Sequence, residues 1–183
     1  MSNNLNNNVA DMWTLKGTTV GCFGKDQTNT VTYTFNQQGF RSSTDFVQTP
    51  EHAVFGCSLV MGIGVPENQI VSSYFSNCQN YGLAGRYTNR DILNTVKKFS
   101  QSELYTPEVK MAVVWTDRDQ HELDDFYREL ENFNIIHFFC GHVLERNHCY
   151  KFIKTLDLDA SKTHPGPLTH KTFFGILCRL FDR

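Results

Sequence analysis

Apolar residues form short, nearly continuous runs that alternate with longer amphipathic segments along most of the chain. Three of these runs predict buried β-strands, at 52–56, 109–115 and 134–140. The segments around them predict helices, at 66–78, 88–99, 118–133, 141 to about 156, and about 168–181. Because buried strands separated by helices are typical of parallel sheets covered on both faces, we expect a three-layer α/β/α fold with a mainly parallel sheet.

Proline and capping residues support two of the helix starts. Pro66 stands where the first turn of a helix accepts proline. Thr88 is followed three positions later by Asp91, which resembles a capping box with Asp in place of Glu. We therefore expect helices to begin at Pro66 and next to Thr88.

The N-terminal part of the chain has a different pattern. Residues 17–23 and 30–35 are rich in β-forming residues, and the polar segment 24–29 between them predicts a hairpin turn. Five of the first eight residues are Asn, which is typical of a terminal tail. We expect a flexible tail over 1–10 and a single domain over 11–183 that begins with a small β extension.

Composition and charge exclude some classes of function for this protein. The chain has 183 residues, of which 40% are hydrophobic, 13% aromatic and 20% charged, and this composition is globular. The formal net charge is −2 and no run of Lys and Arg exceeds two residues, so we do not expect a nucleic-acid partner. No apolar stretch approaches the roughly 20 residues that span a bilayer, and the first residues lack a secretory signal. We therefore expect no membrane association and a cytoplasmic location, which is the host cytoplasm if a virus or phage encodes the protein.

Six cysteines occur in the chain, at positions 22, 57, 78, 140, 149 and 178. Cys57, Cys140 and Cys178 have apolar neighbours, where a free thiol behaves as a small buried hydrophobe. Together with a cytoplasmic setting, this favours reduced thiols over disulfides. The Cys and His residues between 140 and 149 lack CxxC or HxxxH spacing, so we expect neither a metal site nor a cofactor.

Functional groups of a parallel sheet collect at the carboxyl ends of its strands, and three segments near such ends carry reactive residue types. Ser58 follows the strand 52–56 in a turn of small residues, where a hydroxyl nucleophile and backbone N–H donors can face one point. The segment 80–85 has two glycines before a capped helix, which leaves backbone N–H groups open to an oxyanion. His164 precedes Pro-Gly-Pro and follows two aspartates, an arrangement that suits a general base held by a carboxylate.

Each of these segments also has a structural interpretation when it is taken singly. The segment of Ser58 can be a tight turn whose serine has no chemical role, and 80–85 can be a loop that uses glycine for its backbone angles. His164 can be a packed or surface histidine. We expect His170 to cap or pack within the last helix and Arg41 to pair with an acid inside the fold. Arg86 is either a ligand for a substrate carboxylate or phosphate or a solvated loop residue.

In this order, the three segments resemble the sequence blocks of the SGNH (GDSL-like) hydrolase family over about residues 53–177. The similar stretches are Gly56-Cys-Ser58 for the nucleophile block, Asn80-Tyr-Gly-Leu-Ala-Gly85 for the glycine block, and the segment around His164 for the last block. The stretch that ends in Asn36-Gln-Gln-Gly-Phe-Arg41 is similar to the lead-in of some carbohydrate-ester members.

The resemblance implies a hydrolase that forms an acyl intermediate on Ser58, with His164 as the base. It implies that the backbone N–H groups of Ser58 and Gly85 hold the oxyanion, and Asn80 in the same block and Arg86 beside it are the further candidates for substrate binding. The fold it implies is the three-layer arrangement already expected from the pattern.

The chain departs from the family pattern at three places. The third block lacks its Asn, so Thr116 is the substitute donor or the donor is missing. The family's Asp-x-x-His spacing is absent, so we assign the acid that orients His164 to Asp159, with Asp157 as the second candidate. Cys57 stands where the family has Asp.

We therefore expect a serine esterase or deacylase that acts on a small ester, such as an O-acyl group of a carbohydrate, through Ser58, His164 and Asp159. The alternative, which the departures favour, is an SGNH-fold binding or structural protein in which hydrolysis is weakened or lost. Thiol chemistry at Cys57 is a third interpretation. The expected partner is a small-molecule or glycan ester, and the sequence indicates no oligomeric state.

Overall fold

The computed structural model describes residues 16–17, 19–21, 31–83, 87–116, 120–140, 151–152, 157 and 164–182. The strands are β1 (Thr19–Gly21), β2 (Thr32–Thr34), β3 (His52–Gly56), β4 (Cys78–Gly82), β5 (Lys110–Thr116), β6 (Ile135–Cys140) and β7 (Lys151–Phe152). The α-helices are α1 (Ser58–Met61), α2 (Asn89–Ser100), α3 (Leu123–Glu129) and α4 (Pro167–Phe181). Short 3₁₀ turns occur at Glu67–Gln69, Val71–Tyr74 and Gln120–Glu122.

Within the described residues, five strands form one sheet in the order β4-β3-β5-β6-β7, and every pairing in it is parallel. The three strands predicted from the apolar runs are β3, β5 and β6, which lie side by side within this sheet. The β-rich segments near the N-terminus contribute β1 and β2, which pair antiparallel as a separate two-stranded sheet. The turn predicted at 24–29 and the tail predicted at 1–10 lie outside the described residues. The protein therefore has an α/β fold with a parallel sheet.

Side chains alternate between the two faces of the sheet, so each face contributes to its own apolar core. On one face, Phe55, Val113 and Trp115 pack with α2 and α3. On the other face, Val54 and Val114 pack with α1 and α4. The helix residues of the two cores are Met61, Ile92, Leu93, Val96, Phe99, Leu123 and Phe126 for the first, and Leu59, Val60, Phe173 and Leu177 for the second. Helix α4 thus shares its core with α1.

The helix predicted over 66–78 is wrong. Two separate 3₁₀ turns, Glu67–Gln69 and Val71–Tyr74, occupy most of the segment, and Cys78 already belongs to β4. Ile70 separates the two turns because its backbone is extended, with φ −82° and ψ 161°, while its side chain is buried. The apolar residues of this segment therefore fill positions in a packed connection and not one face of a helix.

Two other predicted helices are shorter than expected. The helix predicted over 118–133 is α3, which ends at Glu129, and Leu130 and Phe133 reach the core through the turns that follow. Residues 151–152, predicted as helix, form the edge strand β7 beside β6. The preceding residues 141–150 lie outside the described part of the chain.

The remaining helix predictions agree with the structure. Helix α2 begins after Thr88, whose side chain accepts a hydrogen bond from Asp91 N–H, while the Asp91 carboxylate accepts one from Thr88 N–H. The predicted capping box is therefore confirmed. Helix α4 begins one residue before the predicted start and ends at the predicted residue, Phe181. Within the described ranges, no helix has both the length and the hydropathy that a membrane span requires.

Gly82, the last residue of β4, lies against the backbone of α1. A Cβ atom at this position would stand 2.1 Å from the backbone nitrogen of Met61 and 2.5 Å from its Cα. Next to it, Leu83 N–H donates to the carbonyl oxygen of Gly56 at 2.7 Å, which keeps β3 and β4 joined beyond their last pair. Since neither backbone can shift without losing this pairing, the close approach of α1 requires glycine at position 82.

We expect Gly82→Ala to lower the free energy of unfolding by about 3 kcal/mol, the upper end of the usual cost of overpacking a core. The matched control is Gly175→Ala in α4, where an added Cβ meets no atom within 4 Å. Alanine is favoured over glycine inside a helix by about 0.5–1 kcal/mol, so this variant should be slightly stabilised. Urea unfolding followed by circular dichroism measures both values. Equal effects of the two substitutions would contradict the contact between Gly82 and α1.

Candidate active site

The carboxyl ends of the parallel strands bring the predicted reactive segments to one edge of the sheet. Ser58 begins α1 one residue after β3, and Thr116 ends β5. Helix α4 runs antiparallel to the strands, because the Phe181 ring at its far end lies 5.1 Å from the ring of His52 at the start of β3. The start of α4, with His164 shortly before it, therefore faces the same edge as Ser58.

Ser58 is placed by a sharp strand-to-helix turn. The backbone of Gly56 has a φ of 156°, where a Cβ would stand 2.7 Å from the Val60 side chain and 2.8 Å from Val114. Cys57 is the N-cap of α1, and the helix ends after one turn at Gly62, whose left-handed φ of 76° suits glycine. Ser58 is partly exposed, and among the described residues its hydroxyl has no hydrogen bond, including to His164. The pairing of Ser58 with His164 stays a prediction.

Arg41 holds the end of α1 from the N-terminal segment. Its buried guanidinium donates hydrogen bonds to the carbonyl oxygens of Met61, Gly62 and Val65, at 3.1 Å for Met61 and 2.7 Å for Val65. The guanidinium carbon lies 4.4 Å from the ring centre of Tyr33, in cation–π contact. The expected pairing of Arg41 with an acid is wrong, because backbone carbonyls and an aromatic ring surround its charged group. Met61 and Gly62 lie at the helix end, whose carbonyls lack intrahelical donors, and Val65 lies in the segment that follows.

Asn80 also binds helix α1, through its side-chain amide. Its side-chain amide donates to Val60 O at 2.9 Å and to Ser72 Oγ at 3.2 Å, while its Oδ1 accepts from Gly82 N–H at 2.8 Å. The segment that begins at Asn80 was expected as a glycine loop, but its first three residues end strand β4. Strand pairing buries Asn80, so its amide serves the backbone around α1.

Thr116 is held by Asn89 across the carboxyl edge. The side chain of Asn89 accepts hydrogen bonds from Thr116 N–H at 2.8 Å and from its hydroxyl at 3.3 Å, and donates to Thr116 O at 3.0 Å. Sequence patterns did not single out Asn89. The signal that could have indicated it is its place as the first helical residue after the Thr88 cap, at the mouth of the sheet.

Asp157 caps helix α4. Its carboxylate accepts hydrogen bonds from Leu168 N–H at 2.9 Å and from both the N–H and the hydroxyl of Thr169 at 2.8 Å. Burial raises the pKa of the Asp157 carboxyl, but these hydrogen bonds outweigh it and hold the pKa below its usual range. The carboxylate that was the second candidate for orienting His164 is therefore engaged at the helix terminus.

The other predicted site residues, Gly85, Arg86 and Asp159, lie outside the described residues. Their predicted roles as oxyanion donor, substrate ligand and orienting acid stay predictions. In the described part of the chain, no group of three or more His, Cys, Asp or Glu side chains is arranged to hold a metal ion.

His170 packs inside the fold, which is one of its two expected roles. Its Nδ1 accepts a hydrogen bond from Val71 N–H at 3.2 Å, and its buried Nε2 has no partner among the described residues. The pKa of His170 is lowered to about 4, mainly by burial and in part by the nearby Arg41, while Asp157 opposes the shift. The imidazole is therefore neutral near pH 7 and supports the fold.

Comparison of the chain with known protein families, with curated proteins and with solved structures finds no match in any of the three.

We expect the buried His170 to make the fold sensitive to acid. The unfolded chain takes up a proton near the ordinary histidine pKa of about 6.5, whereas folded His170 resists protonation down to about pH 4. The free energy of unfolding should therefore fall as the pH drops from 6.5 towards 4, by up to about 3 kcal/mol. Urea unfolding at pH 7.0 and pH 5.0 measures the loss.

His170→Gln should reduce this loss, because an amide oxygen can still accept from Val71 N–H but does not titrate. His121→Gln is the control, since the His121 side chain is 81% exposed. An unchanged difference between the two pH values in His170→Gln would contradict the assignment.

The cap at α4 leads to a separate expectation. Asp157→Ala should cost about 1 kcal/mol of stability, the usual value for loss of a helix N-cap. Asp182→Ala, at the opposite end of the same helix, is the control because that side chain is 77% exposed and lies 3.9 Å from Lys110. Thermal unfolding by calorimetry compares the two variants, and equal stability of Asp157→Ala and the native protein would refute the capping role.

Proposed function

We propose that the protein is a serine esterase or deacylase that acts on a small ester, such as an O-acyl group of a carbohydrate. The observation that supports the proposal is that Ser58 and His164 lie at the same edge of the sheet. The serine begins α1 at the end of β3, and the histidine precedes α4 at the same end of the sheet. Carboxyl ends of parallel strands are where α/β folds assemble catalytic groups.

In the proposed reaction, Ser58 Oγ attacks the carbonyl carbon of the ester while the imidazole of His164 takes the hydroxyl proton. The backbone N–H groups of Ser58 and Gly85 stabilise the negative charge that develops on the carbonyl oxygen. His164 then donates the proton to the departing alcohol as the carbon–oxygen bond breaks. Water, deprotonated by His164, attacks the acyl carbon, and His164 returns the proton to Ser58 Oγ as the acyl–oxygen bond breaks. Asp159 orients the ring throughout.

The proposal includes the three-layer α/β/α arrangement of the SGNH family. Its support is the pair of apolar cores, in which α2 and α3 pack with one face of the sheet and α1 and α4 with the other. The proposed location is the cytoplasm, and its support is that Cys57, Cys78 and Cys178 form no disulfide in the described part of the chain.

A second candidate function is a binding or structural protein on the same fold with hydrolysis weakened or lost. The observation that favours it is that Asn80 and Asp157 use their side chains to hold backbone groups, and that the Thr116 hydroxyl donates to Asn89 Oδ1. Loss of one oxyanion donor typically costs about 2.7–4 kcal/mol of transition-state stabilisation. A site in which Thr116 stays bound to Asn89 would therefore turn over slowly.

We expect the purified protein to hydrolyse p-nitrophenyl acetate slowly, at a rate that rises with pH as the His164 imidazole loses its proton. Ser58→Ala should reduce the rate to that of the buffer, and His164→Ala should reduce it roughly 10²- to 10⁴-fold. Asp159→Asn should cut turnover strongly, whereas Asp157→Asn should lower stability and leave turnover largely intact. Release of p-nitrophenolate at 25 °C, over a range of substrate concentrations, gives kcat and KM.

Cys57→Ala is the matched control, because it changes the neighbouring residue and should retain most of the activity. Activity that survives Ser58→Ala but disappears in Cys57→Ala would transfer the nucleophile to the thiol. No hydrolysis of any short ester by the folded protein would favour the binding or structural function.

A further inference from the structure

A polar cavity of about 200 Å³ lies between residues 41–46 and the segment 67–80. Arg41 and Glu67 contribute opposite charges to its lining. Residues that carry a hydroxyl group also line it, namely Ser42, Ser43, Thr44, Ser72, Ser73 and Ser76. Ser58 is not one of the lining residues, so the cavity is separate from the site proposed for ester hydrolysis.

The guanidinium of Arg41 retains an N–H group without an acceptor. Arginine has five N–H donors, and the carbonyl oxygens of Met61, Gly62 and Val65 accept from three of them. The Nε atom of Arg41 is buried and has no partner among the described residues. Nε and Nη2 form the edge of arginine that binds carboxylates side-on through two parallel N–H groups. A buried cation with an unused donor is therefore suited to the carboxylate of a ligand.

Ser72 provides a second donor in the same cavity. Its Oγ accepts a hydrogen bond from Asn80 Nδ2 at 3.2 Å, and its own O–H has no acceptor among the described residues. The residue is only 8% exposed, so bulk water does not readily replace that acceptor. Because a carboxylate has two accepting oxygens, one ligand group can bind both Arg41 and Ser72.

Glu67 gives the cavity its negative charge. One oxygen of its carboxylate accepts from Ser43 N–H at 3.0 Å, and the other has no hydrogen bond among the described residues. Glu67 and Arg41 form no ion pair with each other, although both line the cavity. A simple anion in the cavity would be attracted by Arg41 and repelled by Glu67, whereas a ligand that also carries an ammonium group satisfies both charges.

We propose that this cavity binds a small zwitterion of the α-amino acid class, with its carboxylate on Arg41 and Ser72 and its ammonium group on Glu67. The buried Nε without a partner, the unused Ser72 hydroxyl and the carboxylate of Glu67 around one cavity carry this inference. The volume of about 200 Å³ admits an amino acid with a short side chain, and the surrounding hydroxyls favour a polar one.

The experiment titrates the purified protein at pH 7 with three probes of similar size by isothermal titration calorimetry. L-Serine carries both charges, 3-hydroxypropionate lacks the ammonium group, and ethanolamine lacks the carboxylate. We expect L-serine to bind and each of the other probes to bind roughly 10- to 100-fold more weakly. This factor corresponds to the loss of one hydrogen bond to a charged group.

Glu67→Gln tests the position of the ammonium group. The amide oxygen of the variant can still accept from Ser43 N–H but carries no charge. We expect L-serine to bind roughly 10-fold more weakly, and 3-hydroxypropionate to bind more tightly because the repulsion is removed. Glu103→Gln is the matched control and should change neither affinity, since Glu103 is exposed and does not line the cavity.

Ser72→Ala tests the position of the carboxylate. Loss of the hydroxyl should weaken the binding of L-serine and of 3-hydroxypropionate by the same factor, and should leave the weak binding of ethanolamine unchanged. Arg41→Lys keeps the positive charge but removes the side-on edge, so it should weaken the same two probes. Circular dichroism verifies that each variant is folded, and Ser72→Ala and Glu67→Gln decide the test if Arg41→Lys does not fold.

Equal binding of L-serine and 3-hydroxypropionate would indicate a plain anion site and would overturn the inference. An affinity for L-serine that Glu67→Gln leaves unchanged, or no binding of L-serine by the folded protein, would also overturn it. Because calorimetry measures binding and not hydrolysis, the result is independent of the ester chemistry proposed for Ser58. A protein that binds L-serine but hydrolyses no ester would support this site and refute the proposed function.

Discussion

The buried guanidinium of Arg41 connects the N-terminal segment to the short helix that carries Ser58. Burial lowers the pKa of Arg41, and the carbonyl oxygens of Met61, Gly62 and Val65 offset the loss of hydration by accepting its N–H groups. Helix α1 is a single turn, so its end carbonyls need partners from elsewhere. Each buried carbonyl left without a partner costs about 1–3 kcal/mol. The conformation after α1, and with it the position of Ser58, therefore depends on Arg41.

The need of the α1 carbonyls for partners outside the helix also explains why small residues surround α1. Asn80 binds the Val60 carbonyl from β4, which is possible only because Gly82 lets the two backbones approach closely. Gly56 has the same effect at the end of β3, because the absence of a side chain there leaves room for the Val60 side chain and for Val114 of β5. A helix this short gains little from its own hydrogen bonds, because helix nucleation is unfavourable. Tertiary contacts supply the stability, and they fix α1 at the carboxyl edge.

Much of the sheet could be predicted because parallel strands buried on both faces are continuously apolar, and β3, β5 and β6 have this pattern. The cap of α2 could be predicted because Thr88 and Asp91 form a local motif. The segment 66–78 could not, since its apolar residues contact different neighbours through two short turns and a strand. Periodicity reports only which positions are buried, and short apolar runs do not reveal which partner buries them.

The sequence could indicate that Ser58 and Thr116 follow neighbouring strands at the carboxyl edge, but not how the fold uses the polar groups there. An aspartate upstream of Pro-Gly-Pro suits both a catalytic acid and a helix cap, and the geometry of Asp157 decides for the cap. Asn80 looked like part of an oxyanion site, yet its amide is saturated by backbone and by Ser72. A polar side chain at the edge can stabilise charge in a reaction only if the fold does not already use its hydrogen bonds. Among these described residues, the Ser58 hydroxyl meets this condition, and it is the group through which chemistry at this edge is to be tested.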